Sequence, residues 1–152
     1  MQVWRLLKSR YAPNAFDGEG PRLHGGRWNS VGTRVAYASD SSALAVLEVL
    51  VHLDDAALLT SYSLVTASLP DDLVEDLDRS RLPADWNVSP VPPAVQAIGD
   101  AWLRSAHALA LRVPSAIVPG GANLLIDPAH AQFGRFKIDE IVPFDFDPRL
   151  LR

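Results

Sequence analysis

The sequence predicts an α+β fold in which several strands are covered by a few helices. Segments rich in β-branched and aromatic residues predict strands at 3–7, 34–39, 58–69 and 136–144. Longer apolar segments predict helices at 43–53 and 94–108. The length of 152 residues is typical of one domain that can bury a core, so we expect residues 1–152 to form a single domain.

The connections between these elements are less regular. Residues 8–33 are expected to form a long polar loop, and loops of that length in a small domain are usually functional or mobile. A short helix is expected near 71–78. Four prolines exclude regular structure throughout 82–93. A strand at 109–118, interrupted at Pro114, and a short strand at 123–126 are expected on either side of a turn.

Composition excludes several classes of protein. The net charge of −4 argues against direct binding of nucleic acid, which normally needs a basic face. The absence of cysteine excludes disulfides and thiol chemistry, and the four scattered histidines show no ligand spacing, so no metal is predicted. There is no P-loop or dinucleotide fingerprint. No segment has the length of a membrane span or a signal peptide, so a cytoplasmic protein is expected.

Glu48 is the most informative side chain. It is the only formally charged residue in 43–53, a run that is apolar on every helical face and therefore predicts a buried helix. A buried carboxylate is costly unless it is paired or hydrogen-bonded. We therefore expect Glu48 to have a dedicated partner, to work in a cleft, or both, and Arg27 is the obvious partner.

Arg27 follows two glycines, which allow the backbone to approach a ligand closely. An arginine there suits bidentate recognition of a carboxylate or phosphate. The alternatives are a surface arginine beside a turn, or a purely structural ion pair with Glu48. Tyr37 lies between two alanines, which would leave one side of its ring exposed and its hydroxyl available, although most strand tyrosines are packing residues.

Three other polar residues are weaker candidates. Ser115 follows Pro114 in an extended segment and is not part of a serine-hydrolase elbow, so it could simply bond its own backbone. His52 lies one helical turn after Glu48, where a helix-end role is commoner than that of a base. Asn123 lies beside a turn and is uninformative alone.

Five blocks in this order resemble the RES-domain family, whose members are toxins of bacterial toxin–antitoxin pairs. The resemblance covers nearly the whole chain, from Trp4 to about Phe144. Its blocks are Gly-Gly-Arg-Trp-Asn from 25, Tyr-Ala-Ser from 37, Ala-Leu-Ala-Val-Leu-Glu-Val-Leu-Val-His from 43, Leu-Arg-Val-Pro-Ser-Ala-Ile-Val-Pro from 111 and Asn-Leu-Leu-Ile-Asp-Pro-Ala-His from 123.

The resemblance carries residue roles with it. The Arg, Glu and Ser that give the family its name fall on Arg27, Glu48 and Ser115, and the family's tyrosine falls on Tyr37. These four are the implied catalytic residues, and Arg27, Tyr37 and Asn123 are the implied NAD⁺-binding residues. The family's Asn-Pro-x-His element begins here with an aspartate at 127, so the role of that position is open.

The resemblance implies an ADP-ribosyltransferase-like fold and an enzyme that depletes NAD⁺ by cleaving its nicotinamide–ribose bond, causing growth arrest. The acceptor is open between water and phosphate, and a phosphate acceptor would need another cation, for which Arg5, Arg10 and Arg34 are candidates. One alternative is an ADP-ribosyltransferase that modifies a host protein. Another is a binding module without catalysis, in which Arg27 and Glu48 form a structural pair. The implied partner is an Xre-type helix-turn-helix antitoxin.

Overall fold

A computed structural model describes residues 1–53 and 60–151. Seven strands form one sheet in the order β4-β5-β6-β2-β1-β3-β7. Neighbouring strands are antiparallel except for the parallel pair of β4 and β5. The strands are β1 (Gln2–Lys8), β2 (Ala36–Ser39), β3 (Tyr62–Ser68), β4 (Val74–Asp76), β5 (Ala110–Pro114), β6 (Ala122–Ile126) and β7 (Lys137–Phe144).

The helices are α1 (Glu19–His24), α2 (Ser42–Leu50) and α3 (Pro93–Ser105). Ser41 caps α2, because its side chain accepts a hydrogen bond from the Leu44 amide at 3.2 Å. The helix α3 begins with a proline, which suits a first helical turn. Short 3₁₀ segments lie at Ser9–Asn14, Asp71–Leu73, Arg79–Arg81, Phe133–Arg135 and Pro148–Leu151.

Apolar side chains pack in three clusters. The largest includes Val3, Val65 and Leu124 from three strands of the sheet. A second holds α3 against the sheet, since Val95 and Trp102 of the helix pack with residues of β5 and β6. The third contains Ala45 of α2 with Leu6 of β1 and Tyr62 of β3. Alternate residues of β6 belong to the first two clusters, as the two-residue period of a strand requires: Leu124 and Ile126 to the first, Leu125 to the second.

The strands β1 and β2 part from each other. They pair at one position, Trp4 with Ser39, whereas β1 and β3 pair at every position from Gln2 to Lys8. Beyond that single pair the sheet opens, and α2 packs beside the opening because it follows β2 directly. This opening positions the site described below.

The predicted α+β class is confirmed, with corrections. The helix at 43–53 is found as α2, yet the prediction of a buried helix is wrong, since only Leu44 and Ala45 of α2 are buried and Leu47 is 38% exposed. One side of α2 packs on β1 and another faces an opening of the sheet. Strand residues 58–59 of the predicted 58–69 segment lie outside the described residues.

Two connections also differ from prediction. Residues 8–33 are not an irregular loop throughout, because Ser9–Asn14 and α1 lie within them. The short helix predicted at 71–78 is a 3₁₀ turn followed by β4, whose Val74 pairs with Ala110. Tertiary pairing with β5 outweighs the local turn chemistry there. Among residues 1–53 and 60–151, no helix is long and apolar enough to cross a membrane.

Candidate active site

A cavity of about 770 Å³ lies where β1 and β2 part. Its volume is within the range of small-molecule sites. The walls come from both strands, from the last turn of α2, from the loop 25–28 and from the start of the segment after β5. Arg27, Tyr37, Glu48 and Asn123 all line it, so four of the five predicted site residues meet around one space.

Two hydrogen bonds hold the Glu48 carboxylate, and both are made to the same oxygen, Oε1. Asn123 donates from Nδ2 to Glu48 Oε1 at 2.6 Å, and Ser115 Oγ donates to the same oxygen at 3.5 Å. Ser39 Oγ in turn donates to Asn123 Oδ1 at 2.8 Å, which fixes the orientation of the amide. Within the described residues Glu48 Oε2 accepts no hydrogen bond, and Glu48 lines the cavity, so this oxygen is available to a ligand.

Ser115 contacts Glu48 but does not itself line the cavity. It is 6% exposed, and its Oγ accepts hydrogen bonds from the amides of Ile117 and Val118, both at 3.1 Å. The alternative that this serine bonds its own backbone is therefore observed together with the contact to Glu48. The cavity wall on either side of it is formed by Pro114 and Ala116.

Arg27 does not pair with Glu48, so that prediction is wrong. Its Nη1 donates to the carbonyl oxygens of Trp86 at 2.8 Å and Val88 at 3.0 Å. The physical reason is that these two carbonyls satisfy one guanidinium nitrogen, while Asn123 and Ser115 supply the donors that Glu48 needs. These contacts use both hydrogens of Nη1. Within residues 1–53 and 60–151 the edge formed by Nε and Nη2 makes no hydrogen bond and can hold an anion.

Arg5 is a second cation on the cavity wall. It donates a hydrogen bond to the carbonyl oxygen of Ala15, and its guanidinium lies 5.9 Å from the centre of the Phe16 ring. Burial lowers the pKa of Arg5 to about 10, and the negative charge of Asp17 opposes that shift. The side chain is still a cation at neutral pH.

The other two candidate cations lie elsewhere. Arg10 lies over the ring of Tyr11 at 4.7 Å, and Arg34 donates to Asp17 and Glu19. Neither lines the cavity. Arg5 alone of the three candidates could therefore meet a ligand there.

Tyr37 presents its ring to the cavity, but the prediction of an available hydroxyl is wrong. The hydroxyl donates to Asn29 Oδ1 at 2.7 Å and accepts from the Trp28 amide at 3.1 Å. Burial raises the pKa of the Tyr37 phenol far above its usual range. A Cβ atom at Gly26 would lie 2.7 Å from this hydroxyl, so the close approach of loop and ring requires a glycine there.

Comparison with known proteins decides the family. The family model of the RES domain matches residues 2–147. The chain belongs to the RES domain family. A protein named Toxin Res from Photorhabdus laumondii is 40% identical over 155 residues, which span 100% of this chain and 98% of that protein. A protein named Prs ADP-ribosylating toxin from a Sphingobium strain is 35% identical over 154 residues, covering 98% and 96%.

A solved structure shares the fold of this RES domain. It is the toxin–antitoxin complex of M. tuberculosis MbcT and MbcA, and the matched chain superposes with a TM-score of 0.79 at 25% identity. The match covers 94% of this chain and 83% of the other. Together with the Sphingobium relative, it agrees with the predicted ADP-ribosyltransferase-like fold.

Sequence reasoning about this RES domain missed Ser39 and the hydrogen bond from Asn123 to Glu48. Ser39 and Asn123 are directly opposite in the pairing of β2 with β6, which brings together residues that are distant in the sequence. His24 and His52 also line the cavity, at its exposed rim. The sequence signal for Ser39 is that this small polar residue ends an apolar strand three residues before the helix of Glu48 begins.

The buried phenol of Tyr37 should ionise at a higher pH in the folded protein than in the unfolded chain. Its folded-state pKa lies above the unfolded value, so it favours the fold below the unfolded pKa, and that contribution is lost as the pH rises towards the folded pKa. Absorbance titration of tyrosinate should show a component in native protein that ionises well above the range found in guanidinium. Tyr37→Phe should remove it; a late component that survives in the folded variant would contradict the assignment.

Proposed function

We propose that this RES domain, formed by residues 1–152, cleaves the nicotinamide–ribose bond of NAD⁺. The observation that carries the proposal is the Glu48 carboxylate, which is held through Oε1 by Asn123 at 2.6 Å and lines a cavity whose wall also includes two arginines. A fixed negative charge stabilises a cation that develops beside it. The arginines can neutralise the pyrophosphate of the same substrate.

The chemistry needs few groups. When the bond breaks, its electron pair passes to the pyridinium nitrogen, so nicotinamide leaves neutral and needs no general acid. The ribosyl carbon becomes oxocarbenium-like, as in glycoside cleavage. Glu48 would stabilise this charge or hold a ribose hydroxyl and the incoming nucleophile, with Asn123 and Ser115 keeping its orientation. The chain of hydrogen bonds that runs from Ser39 through Asn123 to Glu48 supports such a preorganised carboxylate.

The rest of the cavity suits the remainder of NAD⁺. Arg27 offers its Nε and Nη2 edge to the pyrophosphate, and Arg5 adds a second positive charge. The ring of Tyr37 provides a flat surface for the nicotinamide half, through stacking rather than through its hydroxyl, which is already bonded. Asn123 belongs to the binding site through its contact with Glu48.

The acceptor separates two classes of reaction. Water gives ADP-ribose, and inorganic phosphate gives ADP-ribose 1″-phosphate; Arg5 supports phosphate, since a second cation can hold the incoming anion. The alternative is transfer to a protein side chain, and the relative named Prs ADP-ribosylating toxin favours it. All three begin with the same bond cleavage at Glu48.

The cellular role follows from the substrate. Depletion of cytoplasmic NAD⁺ would arrest growth, so the protein would act as the toxin of a type II pair with an Xre-type antitoxin. Support comes from relatives named Toxin Res and from the fold shared with a chain of a toxin–antitoxin complex. Because the net charge of this chain is −4, we expect the antitoxin to bind the promoter. A segment of the antitoxin that meets Arg27 would block the cavity.

Glu48→Gln should reduce NAD⁺ consumption by about a hundredfold or more, since one preorganised electrostatic group typically contributes that much. The glutamine keeps an oxygen that can accept from Asn123 but loses the charge. Chromatographic assay of NAD⁺ and nicotinamide measures the effect, and the exposed Glu140→Gln is the matched control. A folded Glu48→Gln protein with wild-type turnover would disprove the assignment.

The products should identify the acceptor. With purified protein freed of antitoxin, we expect nicotinamide release, measured in buffers with and without inorganic phosphate. Release that depends on phosphate, with ADP-ribose 1″-phosphate as product, indicates a phosphorylase, and free ADP-ribose in both buffers indicates a glycohydrolase. Retention of labelled ADP-ribose on protein would favour the transferase. No loss of NAD⁺ by folded protein, with or without added cell extract, would refute the enzyme.

DNA binding by the toxin–antitoxin pair should disappear when the antitoxin is removed. The reason is that the toxin chain has a net charge of −4, so its overall electrostatic interaction with DNA phosphates is unfavourable. A gel-shift assay with the pair's own promoter measures this, using the antitoxin alone as the control. Tight promoter binding by the toxin alone would count against the assignment.

A further inference from the structure

We propose that α3 is the positioning element of the active site, in which Gln96, Gly99 and Asp100 set the loop 25–30 so that Arg27 faces the substrate. This inference rests on the proposed cleavage of NAD⁺. None of the three residues lines the cavity, so each would act through the loop rather than on the substrate. They lie at 96, 99 and 100 and share one face of the helix.

Two polar side chains of α3 bond the loop. Gln96 Nε2 donates to the carbonyl oxygens of Gly26 at 3.0 Å and Asn29 at 3.2 Å. Asp100 accepts from the Ser30 amide at 3.0 Å and from Ser30 Oγ at 2.5 Å. These bonds hold the loop on both sides of Arg27, and Asp100 is only 8% exposed, so little water competes for them.

Gly99 allows the helix and loop to touch. A Cβ atom at this position would lie 1.7 Å from the carbonyl oxygen of Trp28, the residue after Arg27. Such an overlap is impossible without a shift of the loop or the helix. Trp28 is 2% exposed and packs in the same cluster as Val95 of α3, so apolar packing joins the loop to the helix as well.

The helix links this loop to the sheet. Asn29 shapes the loop internally, because its Nδ2 donates to the carbonyl oxygens of Pro21, Ser30 and Thr33. Those bonds do not fix the loop relative to the rest of the site. Tyr37 ties the loop to β2 through Trp28 and Asn29, and the contacts from α3 fix its other side, because Trp102 anchors the helix in the cluster that contains strand residues of β5 and β6.

Displacement of the loop should affect substrate binding more than chemistry. Arg27 would bind the pyrophosphate, which is unchanged in the reaction, so its contribution is similar in the ground and transition states. Glu48 is held by elements that α3 does not touch through hydrogen bonds, namely the ends of β5 and β6. A positioning role therefore predicts a higher KM for NAD⁺ with little change in kcat.

The sharpest test is Gly99→Ala, because alanine is the better helix former and the helix itself should not suffer. We expect KM for NAD⁺ to rise about tenfold or more and kcat to stay within about twofold, as for the loss of a charged contact made equally in both states. The matched control is Gly134→Ala, where an added Cβ meets nothing within 4 Å. A folded Gly99→Ala enzyme with wild-type KM would overturn the proposal.

A second pair of variants covers the case in which Gly99→Ala fails to fold. Asp100→Ala should raise KM similarly, whereas Asp100→Asn should restore it, since the amide oxygen still accepts from the Ser30 amide and Ser30 Oγ can accept from the new NH₂. Equal KM values in the alanine variant and wild type would overturn the proposal. So would a fall in kcat alone, since that would place the effect at Glu48.

Hydrogen exchange separates failure of this inference from failure of the proposed function. In Asp100→Ala, amides of 26–30 should exchange faster while those of β5 and β6 stay protected. If wild-type protein consumed no NAD⁺, the proposed function would fall, and exchange would still decide whether α3 sets the loop. Unchanged exchange at 26–30 would overturn the positioning role whatever the activity.

Discussion

The antiparallel register of β2 against β6 is the constraint on which the site depends. It places Ser39 opposite Asn123, and that pair delivers an oriented amide to Glu48. A shift of one residue would turn Asn123 to the other face of the sheet. The buried residues Leu124 and Leu125 oppose such a slip, because each would leave its own apolar cluster. The hydrophobic pattern of a five-residue strand therefore also fixes the polar geometry of the candidate active site.

The parting of β1 and β2 makes room for a ligand without a large loss of sheet. Each of the two strands is fully paired on its other side, with β3 and β6 respectively, so both remain part of the sheet although they part from each other. The opening exposes one flank of α2, which explains why a helix that is apolar on all faces carries a carboxylate. It also brings Arg5 to the cavity. The arginines and Glu48 therefore have separate partners within the protein and can act on different parts of one substrate.

Much of this arrangement could be predicted from sequence, and the limits are physical. Local patterns predicted the strand before Ser39, the capped helix of Glu48 and the apolar stripe of α3. The joint order of the motif blocks predicted that Arg27, Tyr37 and Asn123 would share a site, and all three line the same cavity. The pairing of Arg27 with Glu48 failed because partners of a buried charge are chosen by tertiary distance, which a single sequence does not reveal. Carbonyl groups in the irregular segment after 82 satisfied Arg27 instead.

The separation of Glu48 from its partners also affects synthesis on the ribosome. Asn123 lies 75 residues after Glu48 and Ser115 lies 67 residues after it. Chains grow from the N-terminus, so α2 emerges long before either partner does. A chain that stalls before β6 would carry the carboxylate without the amide that orients it. The oriented carboxylate can therefore form only after most of the protein has been translated.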